Sequence, residues 1–522
     1  MTFEQDRAIC LERYLREPPA PGPEGLRDNL YQAYLRLKTG DPEQAELGWG
    51  LLRQAPWGPC PYSGLPAVQL LTECGDRLAP DVREMLLAFL REGRGGWMAE
   101  LEKGACNSFR LLAAVSLLGC GLLLGDQPSA RAGEAALAWM EEHLAGYDLP
   151  DEFLSPFYTG LQLAALAEIQ LLPVEARGRA ARLEAFIWRG VLRHFQAGMP
   201  EPAGPYCRGY TSELAGHFQV ISACLLRLLG EEAGFTLRDT LWNPAYSSRI
   251  LPHGTVENMR CYALYFSAFP YHCQEEDLRS WRARTYPLRT RELAHTDASR
   301  DISIKAAVPE GAPWDYPEGD VRLCSVQEEG FSWGWADREF ENGMACSSPH
   351  ILYLRDGWAK TCFLKLVRAE DRYLGDLLDY PNLHLRMGAS NFPDDGRKRV
   401  EEVGDALRVT YRPRAFLRGA ASMKLDVIFP THFSLPDAVR VGERRVGRWD
   451  GTERFPPEPV TVRDGDWAFT FQPLEARGFW RIVHRNQFLN LEWVQASEDF
   501  DALRWCLTIR RKRLEQRQPP AD

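Results

Sequence analysis

The chain has 522 residues, of which 45% are hydrophobic and 26% charged, a composition typical of packed globular proteins. Its length exceeds the roughly 250–300 residues at which a single core stops growing, so two or more domains are expected. The 62 lysines and arginines are outnumbered by 72 aspartates and glutamates, and the net charge of −10 argues against a nucleic-acid partner.

The N-terminal residues and the apolar runs of the chain predict where the protein is located. The first residues lack a basic segment followed by an apolar one, so a cytoplasmic location is expected, or secretion if a signal was removed. The longest apolar run, residues 111–124, falls short of the ~20 residues of a membrane span and predicts a buried helix and no membrane partner. Thirteen cysteines without paired C-x-x-C spacing indicate buried, reduced thiols. No metal and no cofactor is predicted, since nucleotide-binding glycine motifs are also absent from the sequence.

The first half of the chain has helical periodicity. From residue 3 to about 273, apolar residues recur at helical spacing between short connections rich in Gly and Pro. This pattern predicts about ten helices in antiparallel pairs, forming an α/α toroid or solenoid over residues 1–285. No fixed repeat period is visible, which argues against a TPR or HEAT array. The predicted helices include 26–37, 44–52, 80–90, 107–124, 131–144, 160–170, 180–195, 212–229 and 256–266.

Two segments that precede apolar helices concentrate polar side chains. They are residues 151–160, DEFLSPFYTG, and residues 203–213, AGPYCRGYTSE, with His217 a turn later. The first turn of a helix leaves amide groups free, and Pro and Gly fix the backbone there, so such groups are typical of a pocket wall. A third segment, residues 252–258, adds His253 as a candidate, with hydrogen bonding inside its loop as the alternative role.

The second half of the chain changes to alternating apolar and polar residues. The alternation predicts an antiparallel β-sandwich over residues 286–515, followed by a disordered tail at 516–522. The charged stretch 277–301 is predicted to be the linker between the domains. Aromatic residues at 331–335 are expected in the sandwich core.

Two motifs carry a resemblance to known proteins. Residues 152–160 are similar to an E-[FY]-N-S-P-T-Y-x-G junction, and residues 203–210 to an A-G-P-x-x-R-x-Y junction. Both junctions recur in uncharacterised proteins with an α/α toroid and a β-sandwich, and the order of elements resembles the heparinase II/III-, alginate- and chondroitin-type polysaccharide lyases. Leu154 stands where the pattern has Asn, and Phe157 where it has Thr. The resemblance implies a lyase acting on a uronate-containing oligo- or polysaccharide.

The chemistry of such a lyase assigns roles to the candidates. A base removes the proton next to a uronate carboxylate, an acid protonates the leaving oxygen, and polar groups neutralise the carboxylate. The resemblance therefore implies Tyr210 or Tyr206 as base or acid with His217 as partner base. It implies Arg208 as a bidentate carboxylate clamp and Asn107 as donor to the developing oxyanion. The remaining candidates are Tyr158 for catalysis and, for substrate binding, Glu152, Glu213 and His253.

Each candidate also has a structural interpretation. Arg208 could pair with Glu213 or Glu152 and tie two helices together. Asn107 could simply cap its helix. The tyrosines could be core residues with satisfied hydroxyl groups, and His217 a buried structural histidine.

Three other functions remain open at this stage. A glycoside hydrolase would use Glu152 and Glu213 as acid and base, with carboxyl groups ~6.5–9.5 Å apart. A non-catalytic carbohydrate-binding protein would explain the departures at Leu154 and Phe157. A terpenoid-type dehydratase or isomerase would use Cys207 and the neighbouring tyrosines.

Overall fold

The computed structural model divides the chain into two compact units. One unit comprises residues 1–202 and 216–285, and the other residues 203–215 and 286–522. We call them the helical unit and the β unit. The structure describes residues 1–19, 26–54, 57–58, 61–104, 107–207, 220–242, 256–296, 319–338, 346–347, 349–369, 396–415, 422–431, 434–485, 488–496 and 499–514.

Helices joined by short turns make up the helical unit. A capping box of Thr2 and Gln5 begins the first helix, and Pro80 opens the fifth, as the missing proline N–H allows. The described helices are α1 (Phe3–Leu15), α2 (Leu26–Lys38), α3 (Pro42–Gln54), α4 (Pro61–Glu73), α5 (Pro80–Glu102), α6 (Asn107–Leu124), α7 (Gln127–Leu144), α8 (Tyr158–Leu171), α9 (Arg177–His194), α10 (Val220–Leu229), α11 (Leu237–Leu241), α12 (Val256–Phe266) and α13 (Glu275–Arg282).

Six of the described helices form a closed ring. In the order α2, α4, α6, α8, α10 and α12, each packs against the next, and α12 packs against α2. The intervening helices α3, α5, α7 and α9 pack against their neighbours in the chain and run back between ring helices. The ring helices therefore begin at one end of the ring and finish at the other. The predicted class, an α/α toroid followed by an antiparallel β-sandwich, is confirmed.

Helix α6 is long and strongly apolar. Its length and composition alone would suit a membrane span, but 72% of it is buried inside the protein. Burial of that extent is typical of a core helix. The predicted buried helix in this region is confirmed, and its start at Asn107 agrees with the sequence prediction.

The β unit contains two large antiparallel sheets. The eight-stranded sheet has the order β15-β16-β10-β7-β6-β4-β3-β2, the seven-stranded sheet β12-β11-β13-β14-β17-β9-β8, and β1 pairs with β5 alone. The strands are β1 (Tyr206–Cys207), β2 (Leu288–Thr296), β3 (Gly319–Glu328), β4 (Phe331–Ala336), β5 (Cys346–Ser347), β6 (His350–Arg355), β7 (Trp358–Arg368), β8 (Gly396–Val403), β9 (Ala406–Pro413), β10 (Ser422–Pro430), β11 (Ala438–Val441), β12 (Arg444–Arg445), β13 (Val460–Asp464), β14 (Trp467–Pro473), β15 (Phe479–Arg485), β16 (Phe488–Ala496) and β17 (Trp505–Arg513).

The sandwich core lies between the two large sheets. Phe331 of the eight-stranded sheet packs against Trp467 of the other, with ring centroids 4.7 Å apart, and Tyr353 packs against Phe469 at 4.9 Å. Trp333 belongs to the same buried cluster. The prediction that the aromatic residues of 331–335 are core residues is confirmed.

A buried charge cluster ties the two sheets together. Asp464 at the end of β13 is fully buried and accepts hydrogen bonds from Tyr353 Oη and Lys360 Nζ, each at 2.5 Å. Arg355 also pairs with Asp464. Lys360 is itself buried, so its charge depends on this carboxylate.

The predicted linker is wrong in part. The stretch 277–301 contains most of α13 and the whole of β2, which is the edge strand of the eight-stranded sheet. Trp281 is buried on the inner side of α13, and Ala294 on β2. Charged residues around these few apolar positions obscure the periodicity in the sequence.

Candidate functional site

The first turns of four ring helices lie together at one end of the ring. The Arg27 guanidinium of α2 lies 5.4 Å from the Tyr62 ring of α4 and 5.8 Å from the Phe157 ring before α8. The rings of Tyr62 and Phe109, which is on α6, are 5.0 Å apart. Because a helix start carries free N–H groups and a partial positive charge, this end of the ring favours anions. We call it the helix-start end.

A buried network fixes the charged side chains of α2. Arg27 Nη2 donates to Tyr262 Oη at 2.7 Å, and Tyr262 Oη donates to Asp28 Oδ1 at 2.7 Å. The Arg27 Nε to Asp28 Oδ1 distance is 3.3 Å. Sequence reasoning missed these residues, although the run Arg27-Asp28-Asn29 at the start of an apolar helix was an available signal.

Glu152 holds the start of a neighbouring helix. Its buried Oε2 accepts the backbone N–H of Ser108 in the first turn of α6 at 2.6 Å. The carboxylate therefore meets the positive end of α6. Ser155 caps α8 instead, since its hydroxyl oxygen accepts the Tyr158 N–H at 3.2 Å. Tyr158 is the first residue of α8 and is buried.

The backbone around residues 152–160 explains two positions of the motif. Leu154 has a φ of 50°, in the left-handed region where Asn is far more common than Leu. A side chain at Gly160 would collide with Val220 at the start of α10. The Pro156 carbonyl also accepts the Ile221 N–H at 3.0 Å. The motif therefore packs α8 closely against α10.

Asn107 is the buried polar group at the helix-start end whose amide is unused. It is the first residue of α6 and is 1% exposed. Neither its amide oxygen nor its amide nitrogen has a hydrogen-bond partner among the described residues. Buried amides are almost always hydrogen-bonded, so an unused donor and acceptor here point to a ligand.

A stacked group of side chains lies beside this end. The Arg110 guanidinium is 3.7 Å from the Trp139 ring centroid, and the Trp139 and His143 rings stack at 4.5 Å. His143 Nε2 lies 3.0 Å from Asp151 Oδ1. Imidazole and carboxylate are possible metal ligands, but here these two bond to each other and we assign them no metal.

Tyr206 lies in the β unit, against a histidine that sequence reasoning left aside. Tyr206 was predicted at the entrance of a helix, but it lies on the short strand β1, opposite Ser347 of β5. Its ring centroid is 4.5 Å from that of His350. Neither ring nitrogen of His350 has a hydrogen-bond partner in the described part of the β unit. Complete burial lowers the pKa of His350 to about 3, so the imidazole is neutral near pH 7.

Two glycines allow the segment before β1 to lie on the eight-stranded sheet. A side chain on Gly334 would collide with the Gly204 backbone, and one on Gly204 would collide with His350. The Gly of the A-G-P motif therefore has a packing role. Cys207, the candidate of the dehydratase alternative, is buried on β1 opposite Cys346.

The structure brings together three of the sequence-predicted site residues. Asn107 and Tyr158 are the first residues of α6 and α8, and Glu152, in the loop before α8, bonds to the first turn of α6. The remaining candidates other than Tyr206 lie outside the described residues, and their roles stay predictions. These are Arg208, Tyr210, Glu213, His217 and His253.

Part of the chain matches the model of a family whose function is unknown. Residues 68–248 match the model of a family described as Domain of unknown function (DUF8769). That segment contains the helix-start residues of α6 and α8. No curated protein matches the chain at a significant level.

Comparison with solved structures finds polysaccharide lyases at low identity. A chondroitin AC lyase from Streptomyces coelicolor A3, in complex with chondroitin sulphate, has a TM-score of 0.44 and 11% identity, with 97% of this chain and 79% of that chain covered. Heparinase III has a TM-score of 0.40 and 8% identity, covering 92% and 76%. A mutant of the heparan sulfate lyase HepC from Pedobacter heparinus has a TM-score of 0.36 and 10% identity, covering 94% and 77%.

Proposed function

We propose that the protein is a carbohydrate-active enzyme that cleaves a uronate-containing oligo- or polysaccharide by β-elimination. The observation that carries the proposal is Asn107, a buried amide without a partner among the described residues, at the end where ring helices begin. Elimination next to a carboxylate develops negative charge on that carboxylate. An amide donor at a positive helix end suits that charge.

In this proposal, groups at the helix-start end bind the substrate carboxylate and also take part in the chemical step. The free amide groups of the first turns attract the substrate carboxylate, and the Asn107 amide donates to it as the α-proton leaves. Arg27 lies at the same end, bonded to Tyr262 and paired with the Asp28 carboxylate, which offsets its positive charge. Glu152 keeps the start of α6 in position through the Ser108 N–H and acts as a positioning residue.

Proton transfer is assigned to the tyrosine and histidine candidates. Tyr158, Tyr206, Tyr210 and His217 supply the phenol and imidazole groups that remove the α-proton and protonate the leaving oxygen. Arg208 clamps the carboxylate in the same scheme. These roles rest on the sequence motifs and stay part of the proposal.

The rival functions receive less support from the described residues. Hydrolysis through Glu152 would require a carboxyl group able to give up and take a proton, and this carboxylate already binds the α6 backbone at 2.6 Å. Its suggested partner, Glu213, lies outside the described residues. A non-catalytic carbohydrate-binding protein would use the same anion-attracting end and differs only in leaving the sugar intact.

Product analysis tests the proposal. The full chain is incubated with alginate, chondroitin sulphate and heparan sulfate, and the products are followed by ultraviolet absorbance and mass spectrometry. Elimination gives an unsaturated, absorbing uronide without added water. Products heavier by one water and without absorbance would establish the hydrolase, and binding without cleavage of any bound polysaccharide would establish the non-catalytic alternative.

A further inference from the structure

A groove lies on the outer face of the seven-stranded sheet, where β8, β9 and β17 run side by side. It has a volume of about 600 Å³, and all the residues that line it belong to the β unit. Two short side chains, Thr410 and Cys506, are opposite each other on β9 and β17 and lie within it. We call it the arginine groove because its lining includes Arg397, Arg399, Arg408, Arg412 and Arg504.

The register of the sheet brings two of these arginines face to face. Arg397 on β8 lies directly opposite Arg412 on β9. The Cβ atoms of opposed residues are about 4.5–5.5 Å apart, and like charges in such a pair repel each other. An anion bound between the two guanidinium groups would relieve this repulsion.

The carboxylates that line the groove already bond to other arginines. Glu401 pairs with Arg399 at 2.6 Å, and Glu475 pairs with Arg504 at 3.1 Å. Arg408 is opposite Glu401 in the register but forms no ion pair with it. The acidic side chains therefore offset only part of the positive charge of the groove.

Arg408 and Arg412 are the arginines on which the inference depends. Both are exposed on β9, four residues apart, and neither forms an ion pair with a described residue. Charged side chains on an edge strand prevent pairing with another sheet, but β9 lies between β8 and β17, so this role does not explain them. Their guanidinium groups are available to oxyanions, which arginine binds through two parallel hydrogen bonds.

The basic surface continues beyond the groove. The register places further exposed basic residues on the same outer face, namely Arg510 and Lys512 on β17, Arg463 on β13 and Arg440 on β11. On the described strands of this sheet, Glu401 is the one carboxylate that faces outward with them. From β8 to β11 the face spans five strand spacings, or about 24 Å. A charged face of this length suits a polymer better than a small ion.

The other outward side chains favour a polysaccharide as that polymer. Thr470, Gln472 and Thr508 lie between the basic residues on β14 and β17, and their side chains donate and accept hydrogen bonds as sugar hydroxyl groups require. The described strands of this sheet direct no aromatic side chain outward, so the face lacks the stacking surface with which proteins bind single-stranded nucleic acid. An acidic polysaccharide carries both oxyanions and hydroxyl groups along its chain.

We propose that the outer face of the seven-stranded sheet, centred on the arginine groove, binds an acidic polysaccharide over several sugar units. Arg408 and Arg412 bind its acidic groups. The proposal rests on the proposed function for the class of polymer, but it uses none of the residues to which elimination is assigned. A chain held on this face stays close to the protein between cleavage events, which raises the effective concentration of substrate.

Binding of the full chain to alginate, chondroitin sulphate and heparan sulfate tests the surface. The Asn107→Leu protein is measured beside the wild type, because under the proposed function it leaves the polymer intact. Combining Arg408→Gln with Arg412→Gln should weaken binding at least about tenfold, since two charged hydrogen-bond donors are lost. The affinity of this double variant should also depend less steeply on salt, because fewer counterions are displaced. Dextran, which is uncharged, should not compete.

A matched double variant controls for net charge. Arg83→Gln with Arg131→Gln removes the same charge from exposed arginines of the helical unit and should bind like the wild type. Thermal unfolding checks that each variant is folded. Equal binding by the two double variants, no binding of any of the three polysaccharides, or tighter binding of single-stranded DNA at the same salt concentration would each overturn the proposal.

The same measurements separate this inference from the proposed function. Elimination by a protein whose binding does not depend on Arg408 and Arg412 would overturn the inference alone. Binding that depends on these arginines, without elimination of any bound polysaccharide, would overturn the proposed function alone.

Discussion

The ring of Tyr206 lies 4.5 Å from the ring of His350, although 143 residues separate them in the chain. The contact exists because β1 pairs with β5, which immediately precedes β6, and because Gly204 and Gly334 allow the close approach. It places a neutral, fully buried imidazole under an aromatic ring. Neither ring nitrogen has a hydrogen-bond partner among the described residues, so nothing there offsets the cost of burying a protonated imidazole.

His350 should make the protein less stable in acid. Its pKa is about 3 in the fold and about 6.5 in an unfolded chain, so the unfolded state binds the extra proton first as the pH falls. The stability contributed by the neutral imidazole is present above pH 6.5 and is lost between pH 6.5 and pH 3. The free energy of unfolding should fall by roughly 2 kcal/mol from this residue between pH 7 and pH 5.

Urea unfolding of His350→Gln measures this contribution. The variant should lose about 2 kcal/mol less than the wild type between pH 7 and pH 5, because glutamine does not titrate. His272→Gln, at an exposed histidine, serves as the control. If the free energy of unfolding depends on pH equally in the wild type and in His350→Gln, the imidazole is not buried as described.

At Leu154, a glycine variant should be more stable than an alanine variant, which is the reverse of the usual order of stability. Its φ of 50° strains any residue with a Cβ, and its side chain is buried. Alanine loses the apolar contact and keeps the strain, whereas glycine loses the contact and relieves it. Leu154→Gly should therefore be more stable to urea than Leu154→Ala by about 1 kcal/mol.

A matched pair of variants controls for the loss of the leucine side chain. Leu172 is also buried, but its φ is −69° in extended backbone. Leu172→Gly should be the less stable of its pair, by about 0.5–1 kcal/mol. If glycine is the less stable residue at both positions, the left-handed backbone at Leu154 is wrong.

Asp464 should be a major source of stability in the β unit. Asp464→Asn leaves the buried Lys360 ammonium without its carboxylate, and burial already lowers the pKa of Lys360. The free energy of unfolding should fall by about 3 kcal/mol, and adding Lys360→Met should recover part of the loss. Asp405→Asn, in an exposed turn, should change it by less than about 0.5 kcal/mol. No recovery in the double variant would contradict the pairing.

Local patterns were sufficient to predict much of the fold. Helical periodicity bounded by Gly and Pro predicted both ends of α12 as they are in the structure, and it predicted the start of α6 at Asn107. Alternation gave strands such as β14, in which Trp467, Phe469 and Phe471 face the core. These signals depend on neighbours within a few residues, which is why a single sequence contains them.

Long-range contacts limited what could be predicted of the site. The capping of α6 by Glu152 joins residues 44 positions apart, and the bond from Arg27 to Tyr262 joins residues 235 apart. Strand β1 has two residues and pairs with a distant partner, so its sequence has no alternation to detect. The isolated His350 gave no motif, and only the fold places it beside Tyr206.

Replacing Asn107 by leucine tests stability and activity in the same variant. Leucine has a similar volume and removes two buried polar atoms that have no partner among the described residues, so the free energy of unfolding should rise by about 1–3 kcal/mol. Asn29→Leu is the control, since Asn29 donates to the Leu51 carbonyl at 3.2 Å and its loss should destabilise the protein.

The same Asn107→Leu protein should lose elimination activity on a substrate that the wild type cleaves. The rate of formation of the ultraviolet-absorbing product should fall by about 10²–10³-fold, the cost of removing one donor to a developing oxyanion. Loss of activity in a protein at least as stable as the wild type would identify Asn107 as a functional donor at the helix-start end. Full activity in Asn107→Leu, or a loss of activity that only follows unfolding, would contradict elimination at this site.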